Sequence, residues 1–182
     1  NGSVYNAETR TFYDADIAIN GDKIARIGDL KNASAKKTIN AKGHVVSPGF
    51  IDMHSHIEGI MRMPSAENFV RQGVTTVLAG PDGRGPSPMK PFLDSLETFE
   101  LGLNTAWLVG HNAIRRNVMG TENREPTTEE LEEMKAAVHE AMENGAFGIS
   151  TGLKYVPGSF SKIDEVIALS KVAAEAGGIY TS

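Results

Sequence analysis

Five short segments rich in β-branched or small apolar residues recur after Pro48, and their rhythm constrains the fold more than any other feature. They are GFIDMHSH, GVTTVLAG (73–80), TAWLVGHN (105–112), AFGISTGL (146–153) and GGIYTS (177–182). Between them the pattern predicts helices over residues 65–72, 90–101, 128–144 and 162–176. The third helix is the most fully signalled. Thr127 and Glu130 have capping-box spacing, Leu131, Met134, Val138, Ala141 and Met142 supply an apolar stripe, and Asn144-Gly145 makes a C-terminal stop. Strands alternating with helices at intervals of roughly 25–40 residues imply βα units and a parallel sheet. A doubly wound sheet and a (β/α)8 barrel both fit. Both place function at the carboxyl ends of the strands.

Residues 1–47 have a different texture, short strands joined by polar turns. ADIAINGDKIARIG alternates apolar and polar residues on either side of Asn20-Gly21, a hairpin signal. Ile17 and Ile19 share one face before the turn, with Ile24 and Ile27 expected to pack after it. KKTINAKGHVVSPG predicts a second turn near Lys42-Gly43. The expectation is a small antiparallel module over 1–47, followed by a second domain over 48–182.

Composition removes several classes. Asp and Glu number 23 against 18 Lys and Arg, with no basic cluster, which argues against a nucleic-acid or anionic-membrane surface. No apolar run approaches the ~20 residues that cross a bilayer. There are no cysteines, so thiolate ligands, disulfides and Cys nucleophiles are excluded. The first residue is Asn1, not Met. An upstream segment, a signal peptide included, is therefore expected, and the compartment stays open between cytoplasmic and periplasmic.

The strand ends carry the chemistry. Strand side chains alternate faces, so Asp52, His54 and His56 project one way and Ile51, Met53 and Ser55 the other. Two imidazoles one residue apart can bind one metal ion from a single strand, and zinc suits such ligands. Asp52 lies deeper on that face, as a partner that could orient a ligand. The bland alternative is a chance pair of surface histidines. Asp82, in the loop AGPDGRGPSP, reads equally as a turn-former and as a site residue. Arg84 is a candidate for a substrate carboxylate, against the default of an exposed loop arginine. His111 ends the third strand and is expected to face the same end of the sheet as His54 and His56. Its rival reading is a structural histidine. His44 and His139 read as surface residues. Lys154, with Tyr155 beside it, ends the fourth strand. A lysine there can be carboxylated to an anion that bridges two cations and offsets their repulsion. An ordinary solvent-reaching lysine is the alternative.

These segments together carry a family resemblance. The hairpin-rich N-terminal part, then VVSPGFIDMHSH, then βα units, resembles the amidohydrolase superfamily. GVTTVLAG, GHNAIRRNVMG, NGAFGISTGLKYVPG and the final GGIYTS are similar to its D-aminoacylase (N-acyl-D-amino-acid deacylase) branch. The resemblance covers essentially the whole chain. It implies an α/β fold: the first half of a metal-dependent (β/α)8 (TIM) barrel over 48–182, preceded by part of a small β-sandwich. It implies His54 and His56 as ligands of zinc or another divalent ion, one or two per site, and Lys154 as the position of a bridging carbamate in binuclear members. Tyr155, Arg84 and His111 become candidates for contacting substrate. One departure matters. The branch carries a ligand cysteine in a GNCG-like loop, and this chain has Asp82 in GPDG at that place. Either Asp82 replaces it as an oxygen ligand, or Lys154 bridges a binuclear pair, which is the preferred arrangement. The further histidine ligands and the catalytic aspartate are expected beyond Ser182, so these residues by themselves are expected to be inactive. The implied activity is hydrolysis of a non-peptide amide C–N bond, deacylating small-molecule N-acyl-D-amino acids. A cyclic-amide hydrolase or dipeptidase is the alternative, as is a non-catalytic half-barrel interaction subunit. A homo-oligomer is among the expected states.

Overall fold

A computed structural model describes residues 1–182, which separate into two compact units, Asn1–Gly49 and Phe50–Ser182. In the first, β1 (Gly2–Asn6), β2 (Thr11–Asn20), β3 (Lys23–Gly28) and β4 (Val45–Val46) form one sheet in the order β3-β2-β1-β4. The hairpin is where the sequence puts it. Asn20 pairs with Lys23, and Gly21 takes φ 62° in the two-residue turn. A register shift beyond Ala18 lets Ile27 oppose Ile17 and Ile24 oppose Ile19. That extra residue puts two isoleucines three apart onto one face, which strict alternation would forbid. The expected packing after the turn is not found: Ile19 and Ile24 stay 70% and 64% exposed.

The sheet is also not purely antiparallel. Residues 41–44 do turn, with the His44 backbone N–H donating to Ala41 O, but residues 29–40 before them form no strand. β4 lies parallel to β1, pairing Val46 with Val4. A parallel partner requires a long connection, and residues 29–44 provide it.

The second unit has five parallel strands in sequential order: β5 (Phe50–Ser55), β6 (Val74–Ala79), β7 (Asn104–Gly110), β8 (Gly148–Ser150) and β9 (Ile179–Thr181). Its helices are α1 (Glu67–Val70), α2 (Met89–Leu96), α3 (His111–Met119), α4 (Thr128–Glu143) and α5 (Ile163–Glu175). Parallel strands are buried on both faces. Val77, Ala79, Trp107, Val109 and Ile149 join Met89, Leu96, Ile114, Met134, Val138, Ala141, Leu169 and Ala173 in one core. Leu78 and Leu108 are buried on the opposite face. The Phe92 ring meets Trp107 edge-on at 4.5 Å between centroids.

α4 follows its sequence signals closely. Thr127 Oγ1 accepts from Glu130 N–H, and the Glu130 carboxylate accepts from Thr127 N–H. The stripe buries at Met134, Val138 and Ala141. α3 was not expected, because HNAIRRNVM is polar in composition. The chain turns helical immediately after β7, and His111, Asn112, Ile114 and Arg115 are all buried. No helix is long and apolar enough to cross a membrane.

Candidate metal centre

β5 ends at Ser55, and its pairing with β6 slips between Asp52 and Ser55. Simple alternation therefore fails there. Ile51 and Met53 are exposed and Ser55 is buried. The two imidazoles nonetheless arrive side by side, with ring centroids 5.6 Å apart at 72°. Asp52 steers this end of the strand: its Oδ1 accepts the His54 N–H at 3.0 Å.

The third member comes from the loop after β6. Asp82 Oδ2 lies 3.1 Å from His56 Nε2 and 3.7 Å from His54 Nε2. One ligand atom from each of the three residues lies within 4.8 Å of the others. A tetrahedral ion bound at ~2.0–2.1 Å holds its ligands about 3.4 Å apart, and the two spacings from Asp82 bracket that value. The donor set fits too, since imidazole nitrogen and carboxylate oxygen suit Zn²⁺ and the neighbouring divalent ions. The side chains are accessible, 51%, 46% and 27% exposed for His54, His56 and Asp82.

Glu58, absent from the candidates drawn from the sequence, lies beside this group. Its Oε1 lies 3.1 Å from His56 Nδ1, the arrangement in which a carboxylate fixes the orientation of a ligating imidazole. The signal was present as H-x-E, a carboxylate two residues beyond the second histidine.

Asp82 stands on a tight turn, with its carboxylate beside the histidines. It has φ 56° and Gly83 φ 70°, and Arg84 N–H donates to Pro81 O at 3.0 Å. Two positive φ angles under an i to i+3 hydrogen bond make a type I′ turn, where Asp is tolerated better than most residues. The turn former is also the carboxylate presented to the histidines.

The other candidates divide. Arg84 sits over the Tyr155 ring, 5.1 Å from guanidinium carbon to centroid, and both are exposed. That makes one cation–π pair from the loops after β6 and β8. Lys154 is exposed in the loop after β8. The carboxylate beside the histidines is that of Asp82.

His111 does not open towards His54 and His56. It is fully buried, its Nε2 2.7 Å from Glu165 Oε1. Arg115 hydrogen-bonds the other Glu165 oxygen and donates to Arg124 O at 2.6 Å. Burial pushes the Glu165 carboxyl up, but the hydrogen bonds from His111 and Arg115 outweigh it and hold the group below its ordinary value. This trio ties α3 to the start of α5.

Parallel strands joined by helices, with two imidazoles and a carboxylate at the strand ends, define part of a (β/α)8 barrel bearing a candidate metal group. The chain belongs to the amidohydrolase family: the family model so described matches residues 37–181. It is 35% identical to a D-aminoacylase from Alcaligenes xylosoxydans xylosoxydans, over 92% of this chain and 40% of that protein. A D-aminoacylase structure studied for its binuclear metal centre superposes with a TM-score of 0.90, at 32% identity, over 98% of this chain and 43% of the other. The N-acyl-D-glutamate deacylase of Bordetella bronchiseptica, solved with zinc and a phosphonate mimic of the tetrahedral intermediate, gives 0.92 at 29% identity, over 99% and 43%. The five parallel strands are thus half of a barrel of this type. The chain spans about two fifths of the length of the curated relatives it matches.

Proposed function

We propose that the whole protein is a metal-dependent hydrolase that deacylates N-acyl-D-amino acids. The convergence of His54, His56 and Asp82 carries this reading. A divalent ion held by the three, zinc by preference, supplies Lewis-acid polarisation of the scissile carbonyl and brings the pKa of a water to roughly 7. Around it the chain's own residues have separate tasks. Glu58 holds the ring proton of His56 on Nδ1, which leaves Nε2 to face the ion. Asp82 adds the negative charge that two neutral imidazoles lack. Arg84, held over Tyr155, offers a guanidinium to the substrate carboxylate.

Support comes from the family and from relatives that act on acylated D-amino acids: the D-aminoacylase and the N-acyl-D-glutamate and N-acyl-D-aspartate deacylases. The test is hydrolysis of N-acetyl-D-amino acids, their L-enantiomers and a cyclic amide by the wild type and His54→Ala. D-selective release of acetate, abolished in the variant, is expected. Turnover of the cyclic amide alone would move the function to the cyclic-amide class. No turnover of any substrate by a folded, zinc-loaded protein would favour an interaction subunit.

A further inference from the structure

The carboxylate of the metal group stands on a turn, and what holds that turn is a side chain on a different strand. Ser150 is the last residue of β8 and is fully buried. Ile149 before it faces the helices, so Ser150 points to the other face of the sheet. There its hydroxyl makes two hydrogen bonds. Oγ donates to Gly80 O at 2.6 Å and accepts from Gly83 N–H at 3.0 Å. Gly80 and Gly83 flank Pro81-Asp82, so one hydroxyl spans both ends of the segment that presents Asp82.

The clamp is closed from the same side by the backbone. Gly152 approaches so near that a Cβ there would collide with the Asp82 carbonyl. Gly80, Gly83 and Gly85 are buried, so no water replaces the hydroxyl's two bonds without rearrangement.

We propose, resting on the metal reading above, that Ser150 is a positioning residue for the metal group. It sets the position of Asp82 opposite His54 and His56 through the two ends of its turn. Both hydrogen bonds of the Ser150 hydroxyl go to the backbone of that turn. Its effect on metal affinity passes through Asp82 alone.

The experiment is a metal-binding cycle on the whole protein. Zn²⁺ affinity is measured by competition with a chromophoric chelator, and Co²⁺ coordination by its visible absorption. The proteins are the wild type, Ser150→Ala, Asp82→Ala and the double variant. Loss of an outer partner of a ligand weakens metal binding roughly 10–100-fold, and that loss is expected in Ser150→Ala with a changed Co²⁺ spectrum. In the Asp82→Ala background the same change is expected to shift affinity by less than about twofold, because the residue it acts through is gone.

Ser150→Thr and Ser150→Val are a second pair, alike in shape and differing in the hydroxyl alone, should the alanine variant fail to fold. The threonine variant is expected to bind the more tightly by a similar factor. Equal affinities for that pair, or an undiminished loss in the Asp82→Ala background, would overturn the positioning role and leave the metal reading intact. A folded wild type with no divalent-ion affinity would overturn the metal reading itself.

Discussion

At the residue scale, the candidate site turns on which atoms meet. His54 and His56 were legible as a pair, because H-x-H after a strand-like run gives two imidazoles on neighbouring positions. Asp82 was legible only as a choice between a turn and a ligand, and the geometry shows why. A positive-φ turn and a presented carboxylate are the same local structure here. Glu58 carries only the short H-x-E signal, which many surface loops share. Its 3.1 Å contact with His56 Nδ1 yields a prediction. Glu58→Gln keeps the size but weakens the acceptor, and zinc affinity is expected to fall, at most by the roughly 10–100-fold typical of such partners. Competition titration checks this, and an unchanged affinity would mean that Glu58 merely neighbours the ring.

At the element scale, local signals and tertiary placement agreed in α4 and diverged in α3. The capping box at Thr127 and Glu130 could be read from four residues because both hydrogen bonds are local. α3 could not be read that way. His111, Asn112 and Arg115 are polar letters whose burial depends on Glu165, some fifty residues later. β4 failed for a similar reason, since its parallel partner β1 is distant in sequence.

The cap has measurable consequences. Thr127→Ala is expected to cost about 1 kcal/mol of stability in denaturant unfolding. The side-chain hydrogen bond from Arg124, with the Thr127 N–H, holds the Glu130 carboxyl down to about 2 from its usual 4.5. A carboxyl whose folded value is depressed stabilises fully above the unfolded value and loses that contribution as pH falls through the folded one. The stability advantage of the wild type over Glu130→Gln is therefore expected to shrink between pH 4.5 and about 2. An advantage constant across that window would contradict the assignment.

At the scale of the whole molecule, the parallel βα rhythm was readable because each strand is a short apolar run bounded by turn residues. The first unit was read less well. Its hairpin is local, whereas the burial or exposure of Ile19 and Ile24 is a tertiary property that their alternation does not encode. The second unit is bound together across long sequence separations by the Glu165 trio. Removing one partner of a buried ion pair leaves an uncompensated charge and costs about 3–5 kcal/mol. Arg115→Met is expected to destabilise by that order in chemical denaturation, whereas Lys90→Met, which breaks the exposed pair with Asp94, is expected to change stability by less than about 1 kcal/mol. Similar losses in the two variants would show that the buried trio contributes no more than a surface pair.

The proposed metal group is His54, His56 and Asp82. Zinc content per chain, measured by mass spectrometry on the purified whole protein and its His54→Ala, Asp82→Ala and Lys154→Met variants, tests it most directly. Zinc is expected in the wild type, with a clear loss in His54→Ala and Asp82→Ala and retention in Lys154→Met. Zinc kept in full by Asp82→Ala and lost by Lys154→Met would contradict it.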